Sequence, residues 1–238
     1  RVQATFEAER SELANVAGMI PGKRKEEIVV FSAHYDHLGI GRPIAGDSIY
    51  NGANDDASGT TAVISLAAFF KQQPQPERSL VFVAFTAEEM GGYGSRYFSQ
   101  QFDPEHITAM FNIEMIGIEA EKGPASAYIT GFDRSSLGNI MQQAVQGSMY
   151  NFHPDPYPEQ NLFYRSDNAT LARLGVPAHT IATTPMKPNQ PHYHKPSDEF
   201  STVNTQHITH IIRAIALGAM PVVSGEQTPS RVDKSQVN

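Results

Sequence analysis

Two adjacent carboxylates, Glu88 and Glu89, follow the apolar run Leu80–Phe85 and precede Met90-Gly91-Gly92. The run reads as a buried strand, which puts the pair at its C-terminal end. Neighbouring charges are expensive to bury without compensation. A cation would supply it, with Glu89 holding a metal ion and Glu88 shuttling a proton for a water activated there. Similar groups recur along the chain. His34 and Asp36 follow the apolar run Ile28–Ala33, and Asp55 and Asp56 precede a segment with helical spacing. Glu114 sits between Ile113 and Met115 in an apolar stretch, and His194 lies in a polar, proline-rich loop. Imidazole and carboxylate without thiolate suit Zn²⁺ or a related first-row divalent ion. A catalytic zinc takes about three protein ligands plus water. The set His34, Asp55, Glu89, Glu114 and His194 exceeds that, and serves two ions if one carboxylate bridges. Asp55 is the expected bridge, because the small residues Gly52 and Ala53 before it let the backbone approach closely.

Taken singly, each group has an ordinary reading. Asp55 and Asp56 would cap the helix that follows, Glu88 and Glu89 would form a solvated turn, and a lone histidine would be a surface or satisfied core residue. Glu114 resists this, since a carboxylate in a buried strand needs a partner. Their joint occurrence at strand ends points to a metal centre.

The elements that must position these groups alternate between strand and helix. Short apolar runs at 28–33, 79–85, 107–116, 127–130 and 176–181 read as strands. Helical spacing appears at 60–71, 94–101, 135–147 and 203–220, with a helix end at 171–174. In the last long helix Ile208, Ile211, Ile212, Ile215 and Leu217 are expected on the packed side. Val2, Ala4 and Phe6 suggest a further strand, and Leu13, Val16 and Met19 a short element. Residues 40–57, 151–161 and 183–198 read as loops. With no repeat and no internal linker, the expectation is a single domain over 1–238, with edge elements over 1–26 and a flexible tail over 224–238. It would be a three-layer α/β/α sandwich on a mixed, largely parallel sheet. In such a sheet the strand ends converge on one rim, where ligands bind.

The motifs His34-Tyr35-Asp36, Gly52-Ala53-Asn54-Asp55-Asp56-Ala57-Ser58-Gly59, Thr86-Ala87-Glu88-Glu89-Met90-Gly91, Asn112-Ile113-Glu114-Met115-Ile116-Gly117 and Tyr193-His194-Lys195-Pro196-Ser197-Asp198 resemble those of the M28 family of dizinc aminopeptidases, in the family's order. The resemblance implies a zinc-exopeptidase fold and two Zn²⁺ per chain, with Co²⁺ or Mn²⁺ as substitutes. His34, Asp55 and Glu114 would hold one ion, and Asp55, Glu89 and His194 the other. Glu88 would be the general base, Asp36 the acid that orients His34, and Tyr193 a donor to the developing oxyanion. The Asp55–Asp56 peptide would be cis. Glu114 stands where the best-known members have Asp and many bacterial members Glu, and Asn168 in Ser166-Asp167-Asn168 stands where His is common. His37, His179 and His192 match no ligand position, and His106, His153, His207 and His210 are assigned to surface or packing. The implied substrate is a peptide with a free N-terminus. A glutaminyl-cyclase-like acyltransferase with one zinc and a carboxypeptidase of the same clan are the alternatives. A binding domain derived from a peptidase is disfavoured, because every ligand position and Glu88 are filled.

The totals agree with this reading. The chain has 238 residues, 40% hydrophobic and 18% charged, as in a globular protein. Its net charge of −7 argues against nucleic acid and anionic membranes as partners. It contains no cysteine, so it has no disulfides or thiolate chemistry, and it fits an oxidising compartment. No apolar stretch approaches the roughly 20 residues that span a bilayer. No signal peptide is visible, and a start at Arg1 instead of Met fits removal of an upstream segment. The family's habit implies an extracytoplasmic location: secreted, periplasmic or lipoprotein-anchored.

Overall fold

The apolar run at 28–33 lies within β2 (Arg24–His34), whose residues from Ile28 onward are all buried. The computed structural model describes residues 11–187 and 190–237. β2 is flanked by β5 (Arg78–Phe85) and β6 (Ile107–Ile113), both parallel to it. β9 (Ala178–Ala182) continues the parallel run beside β6. Reversals come further out. β1 (Val16–Ile20) is antiparallel to β5, and β7 (Ser126–Ile129) is antiparallel to β9. β8 (Asn151–Pro154) closes the far edge parallel to β7, giving the order β1-β5-β2-β6-β9-β7-β8.

Alternation along β2 sends its side chains to both faces. Val29, Phe31 and Ala33 join a cluster with α1 (Ser58–Lys71), α3 (Leu137–Ala144) and α5 (Thr205–Val223) through Leu66, Met141, Ile211 and Ile215. Ile28 and Val30 face the other way, onto α2 (Tyr93–Phe98) and α4 (Asn168–Ala172) through Phe98, Leu171 and Ala172. Phe31 stacks between Phe82 and Phe111, with centroids 5.2 and 5.1 Å away. Each such side chain contributes about 1.5–3 kcal/mol by leaving water. Helices cover both faces, so the expected three-layer α/β/α sandwich on a largely parallel sheet is the architecture observed.

Several local expectations need correction. Residues 40–57 are not all loop, because β3 (Gly39–Ile44) and β4 (Asp47–Tyr50) form a hairpin. Its two-residue turn, Ala45-Gly46, has positive φ at both positions, as a primed hairpin turn requires. The hairpin is largely exposed, so it carries no apolar alternation to read. Four residues of the 151–161 segment form edge strand β8, where Pro154 removes no interior ladder bond. β6 stops at Ile113, so Glu114 stands just beyond the strand instead of within it. Leu217 is 45% exposed; nine residues past Ile208, at about 3.6 per turn, it faces the opposite way. The strand expected at Val2–Phe6 lies outside the described residues. The tail is not frayed after Val223. Arg78, fully buried, donates to Val222 O, Gln227 O and Thr228 Oγ1 at 2.6–2.7 Å, and Val232 is buried beside Gly175.

Candidate metal centre

β2 ends at His34, β5 ends three residues before Glu88, and β6 ends one residue before Glu114. These strands are parallel neighbours, so their C-terminal ends open on one rim. Asp55 reaches that rim from the bend Ala53–Ala57, which leads into α1, and His194 from the loop after β9. The Asp55–Asp56 peptide is cis.

The bend is held from several sides. The Asp198 carboxylate accepts from Asn54 N and Asp55 N at 2.9 and 3.0 Å. Asn54 Oδ1 accepts from Gly117 N at 2.8 Å, and Ser58 Oγ accepts from Ile116 N at 3.0 Å. Asp56 Oδ1 accepts from Gly59 N and Met115 N, both at 3.0 Å. The carboxylate pair thus divides. Asp56 does the capping work that the ordinary reading foresaw, while Asp55 is left to the centre. Gly59 permits this, since a Cβ there would lie 2.3 Å from Ile113 O and 2.4 Å from Asp56 Oδ2.

At the centre Asp55 presents one oxygen to each of two imidazoles. Oδ1 lies 3.2 Å from His34 Nε2, and Oδ2 lies 3.3 Å from His194 Nε2. Glu89 Oε2 is 3.1 Å from the same His194 nitrogen. Donor atoms of His34, Asp55 and Glu114 all lie within 4.8 Å of one another, as do those of His37, Asp55 and Glu89. His34 Nε2, Glu89 Oε1 and Glu114 Oε2 are buried and make no hydrogen bond. His34 Nδ1 donates to the main-chain carbonyl of Asp36 at 3.0 Å, which leaves Nε2 a lone pair aimed at Asp55. The Asp36 carboxylate is 3.8 Å from that ring and instead accepts from Glu88 N and Glu89 N at 3.0 and 3.3 Å. Asp36 therefore fixes the Glu88-Glu89 turn with its side chain and His34 with its backbone, a division that differs from the one expected. The Tyr193 ring stacks on His194 at 3.9 Å, and its hydroxyl accepts from Arg165 Nη2 at 3.4 Å.

The crowding of acids shows in their proton affinities. Burial and the charge of Glu114 push Glu88 up, and burial does the same to Glu114 and Asp56. Burial also opposes ionisation of Asp55, but the His194 and His34 imidazoles against its two oxygens outweigh it and hold the group well below the usual carboxylate range. His194 is raised to about 10 by donating hydrogen bonds to the Asp55 and Glu89 carboxylates. The rim is a sink for positive charge, which a dication would fill.

Two residues of the centre escaped the sequence reading. His37 matches no ligand position in the sequence, yet its Nδ1 lies 2.8 Å from Glu89 Oε1. Asp198 closes the Tyr193–Asp198 motif, and its clamp on the bend depends on residues more than 140 positions away. Asn168 proves to be a packing residue, its amide donating to Phe163 O and Ala178 O. His179 is buried between Ser135 and Thr130. A hollow of about 640 Å³ around Phe132, Asp155 and Arg231 contains none of the clustered donors.

The sequence profile of peptidase family M28 matches residues 15–219. A "Probable leucine aminopeptidase" of Trichophyton verrucosum is 25% identical over 214 residues, covering 87% of this chain and 56% of that protein. Among solved structures, a zinc aminopeptidase from Bacillus subtilis superposes with a TM-score of 0.69 at 21% identity, over 94% of this chain and 53% of that one. A glutaminyl cyclase from Bacteroides thetaiotaomicron superposes at 0.64 and 18% identity, over 90% and 77%. The structural likenesses establish the fold, and the chain spans about half the length of the curated relatives it matches. On the extent of the profile match, the chain belongs to peptidase family M28.

Proposed function

We propose that this chain is a zinc-dependent aminopeptidase that removes N-terminal residues from peptides with the help of two ions. The observation that carries this reading is Asp55, one oxygen turned to His34 and the other to His194. Unpartnered carboxylate oxygens of Glu114 and Glu89 complete the two sides. Imidazole and carboxylate donor atoms that converge on common spaces fit Zn²⁺. His34, Asp55 and Glu114 hold one ion, and Asp55, Glu89 and His194 hold the other.

Bound zinc supplies Lewis acidity, polarising the scissile carbonyl and making water a nucleophile at neutral pH. The rest is done by side chains. Glu88 takes the proton of the attacking water and returns it to the leaving amine. Asp36 holds Glu88 and Glu89 in register through their backbone amides. Tyr193 offers its hydroxyl toward the oxygen on which charge develops. A cleft beside Glu114, lined by Met115, Tyr128, Leu162, Ala182 and Met186, receives an apolar first side chain. The chain acts as one domain in an extracytoplasmic compartment. Among the described residues, no helix is long and apolar enough to cross a membrane.

The test is Glu88→Gln, assayed on aminoacyl chromogenic substrates with zinc content measured in parallel. Retained zinc and lost hydrolysis support the assignment, whereas near-normal turnover refutes the base. One zinc per chain, with cyclisation of N-terminal Gln, would favour the acyltransferase reading. Cleavage of N-blocked peptides would favour a carboxypeptidase.

A further inference from the structure

His37 stands outside the five ligands, yet its ring lies in the centre. Its side chain is only 7% exposed, and neither ring nitrogen makes a hydrogen bond. Nδ1 approaches Glu89 Oε1 to 2.8 Å, and that oxygen is unpartnered too. Two atoms bound to one zinc at about 2.0–2.2 Å lie about 2.8–3.6 Å apart when the angle between the bonds is roughly 90–110°. The His37–Glu89 separation falls in that range. So do the His194 contacts to Glu89 and Asp55, at 3.1 and 3.3 Å. The two rings meet edge to face, 5.8 Å between centroids.

The position of His37 is also built in. Gly52, at φ +66, lies against the ring, and a Cβ there would fall 2.7 Å from His37 Cγ and 2.4 Å from Asp55 O. The same glycine therefore packs His37 and starts the bend that carries Asp55. His37 follows β2 by three residues, whereas His194 arrives on a loop with its side chain 36% exposed.

We propose that His37 is a second imidazole ligand for the ion at Asp55 and Glu89. This rests on the two-ion reading above. His37, Asp55 and Glu89 form a three-point seat that retains the ion without His194, and His194 adds a fourth point from the opposite wall.

The experiment measures zinc per chain and stepwise affinity by competition with a chromogenic chelator. Wild type, His194→Ala, His37→Ala and the double variant are compared, each checked for a cooperative melting transition. The wild type should bind two zincs. His194→Ala should keep both, the weaker by about 10–100-fold, as when a supporting partner is lost instead of the whole site. His37→Ala should weaken the same step, and the double variant should keep one zinc. A His194→Ala protein that binds one zinc, or a His37→Ala protein with unchanged affinities, overturns the proposal. Should the double variant unfold, the two single variants still decide. A wild type that binds one zinc refutes the two-ion reading itself, which separates that failure from the failure of His37.

Discussion

Replacing Asp198 by Asn tests whether the centre is held by its surroundings. The Asp198 side chain is buried and receives two backbone N–H groups, from Asn54 and Asp55, more than 140 residues earlier in the chain. Asparagine turns one of the two acceptor oxygens into an NH₂ group, so one N–H loses its partner in a buried place, at about 1–3 kcal/mol. The other bond loses its charge assistance, about a further 1 kcal/mol. The expected loss is about 2–4 kcal/mol, or roughly 4–16 °C of melting temperature for a chain of this size. Because the loosened peptide is the one that carries Asp55, zinc affinity should fall together with stability, by about 10–100-fold. Urea unfolding of the metal-free protein and zinc competition on the same samples give the two numbers. A variant that melts within a degree of wild type and binds zinc equally well would show that the 53–57 bend keeps its shape without this clamp.

Other expectations follow from the same geometry. Arg78→Met strands Val222 O in a buried place and releases the C-terminal segment, and should destabilise by about 1–3 kcal/mol in urea; an unchanged urea midpoint would contradict the anchoring role. Gly59→Ala puts a methyl group against Ile113 O and Asp56, and should cost about 1–3 kcal/mol with weakened zinc binding; an unchanged melting curve would count against the tight fit. Burial holds His179 down at about 4, below its ordinary 6.5. The unfolded chain then takes up this proton first as pH falls, so stability is full above about 6.5 and declines towards 4. The slope is at most about 1.4 kcal/mol per pH unit. Urea titrations across that window should be flatter for His179→Gln, and equal slopes would sink the assignment. Chelation should abolish peptide hydrolysis and added Zn²⁺ restore it, so chelator-resistant turnover would exclude the metal role.

The strands were legible because Ile28–Ala33 and Leu80–Phe85 are buried on both faces and therefore read as unbroken apolar runs. The donors at their ends were legible because a charged residue after such a run needs a reason. What was not legible depends on distant pairing. The hairpin of β3 and β4 shows no alternation because it buries neither face. Arg78 looks like an ordinary charged residue before a strand until residues 222–228 close over it. Asp198 and His37 gain their roles from the bend at 53–57, and nothing in their own neighbourhoods announces it.

One segment, the loop following β9, supplies both Tyr193, which lines the cleft beside Glu114, and His194, which faces Asp55 and Glu89. Under the proposed aminopeptidase function, selectivity and zinc retention would therefore be mechanically geared together. Remodelling this loop to admit a bulkier or more polar residue would also shift the imidazole stacked on Tyr193. Mutational libraries aimed at new substrates should start instead from Tyr128 and Leu162, cleft residues carried by other parts of the chain.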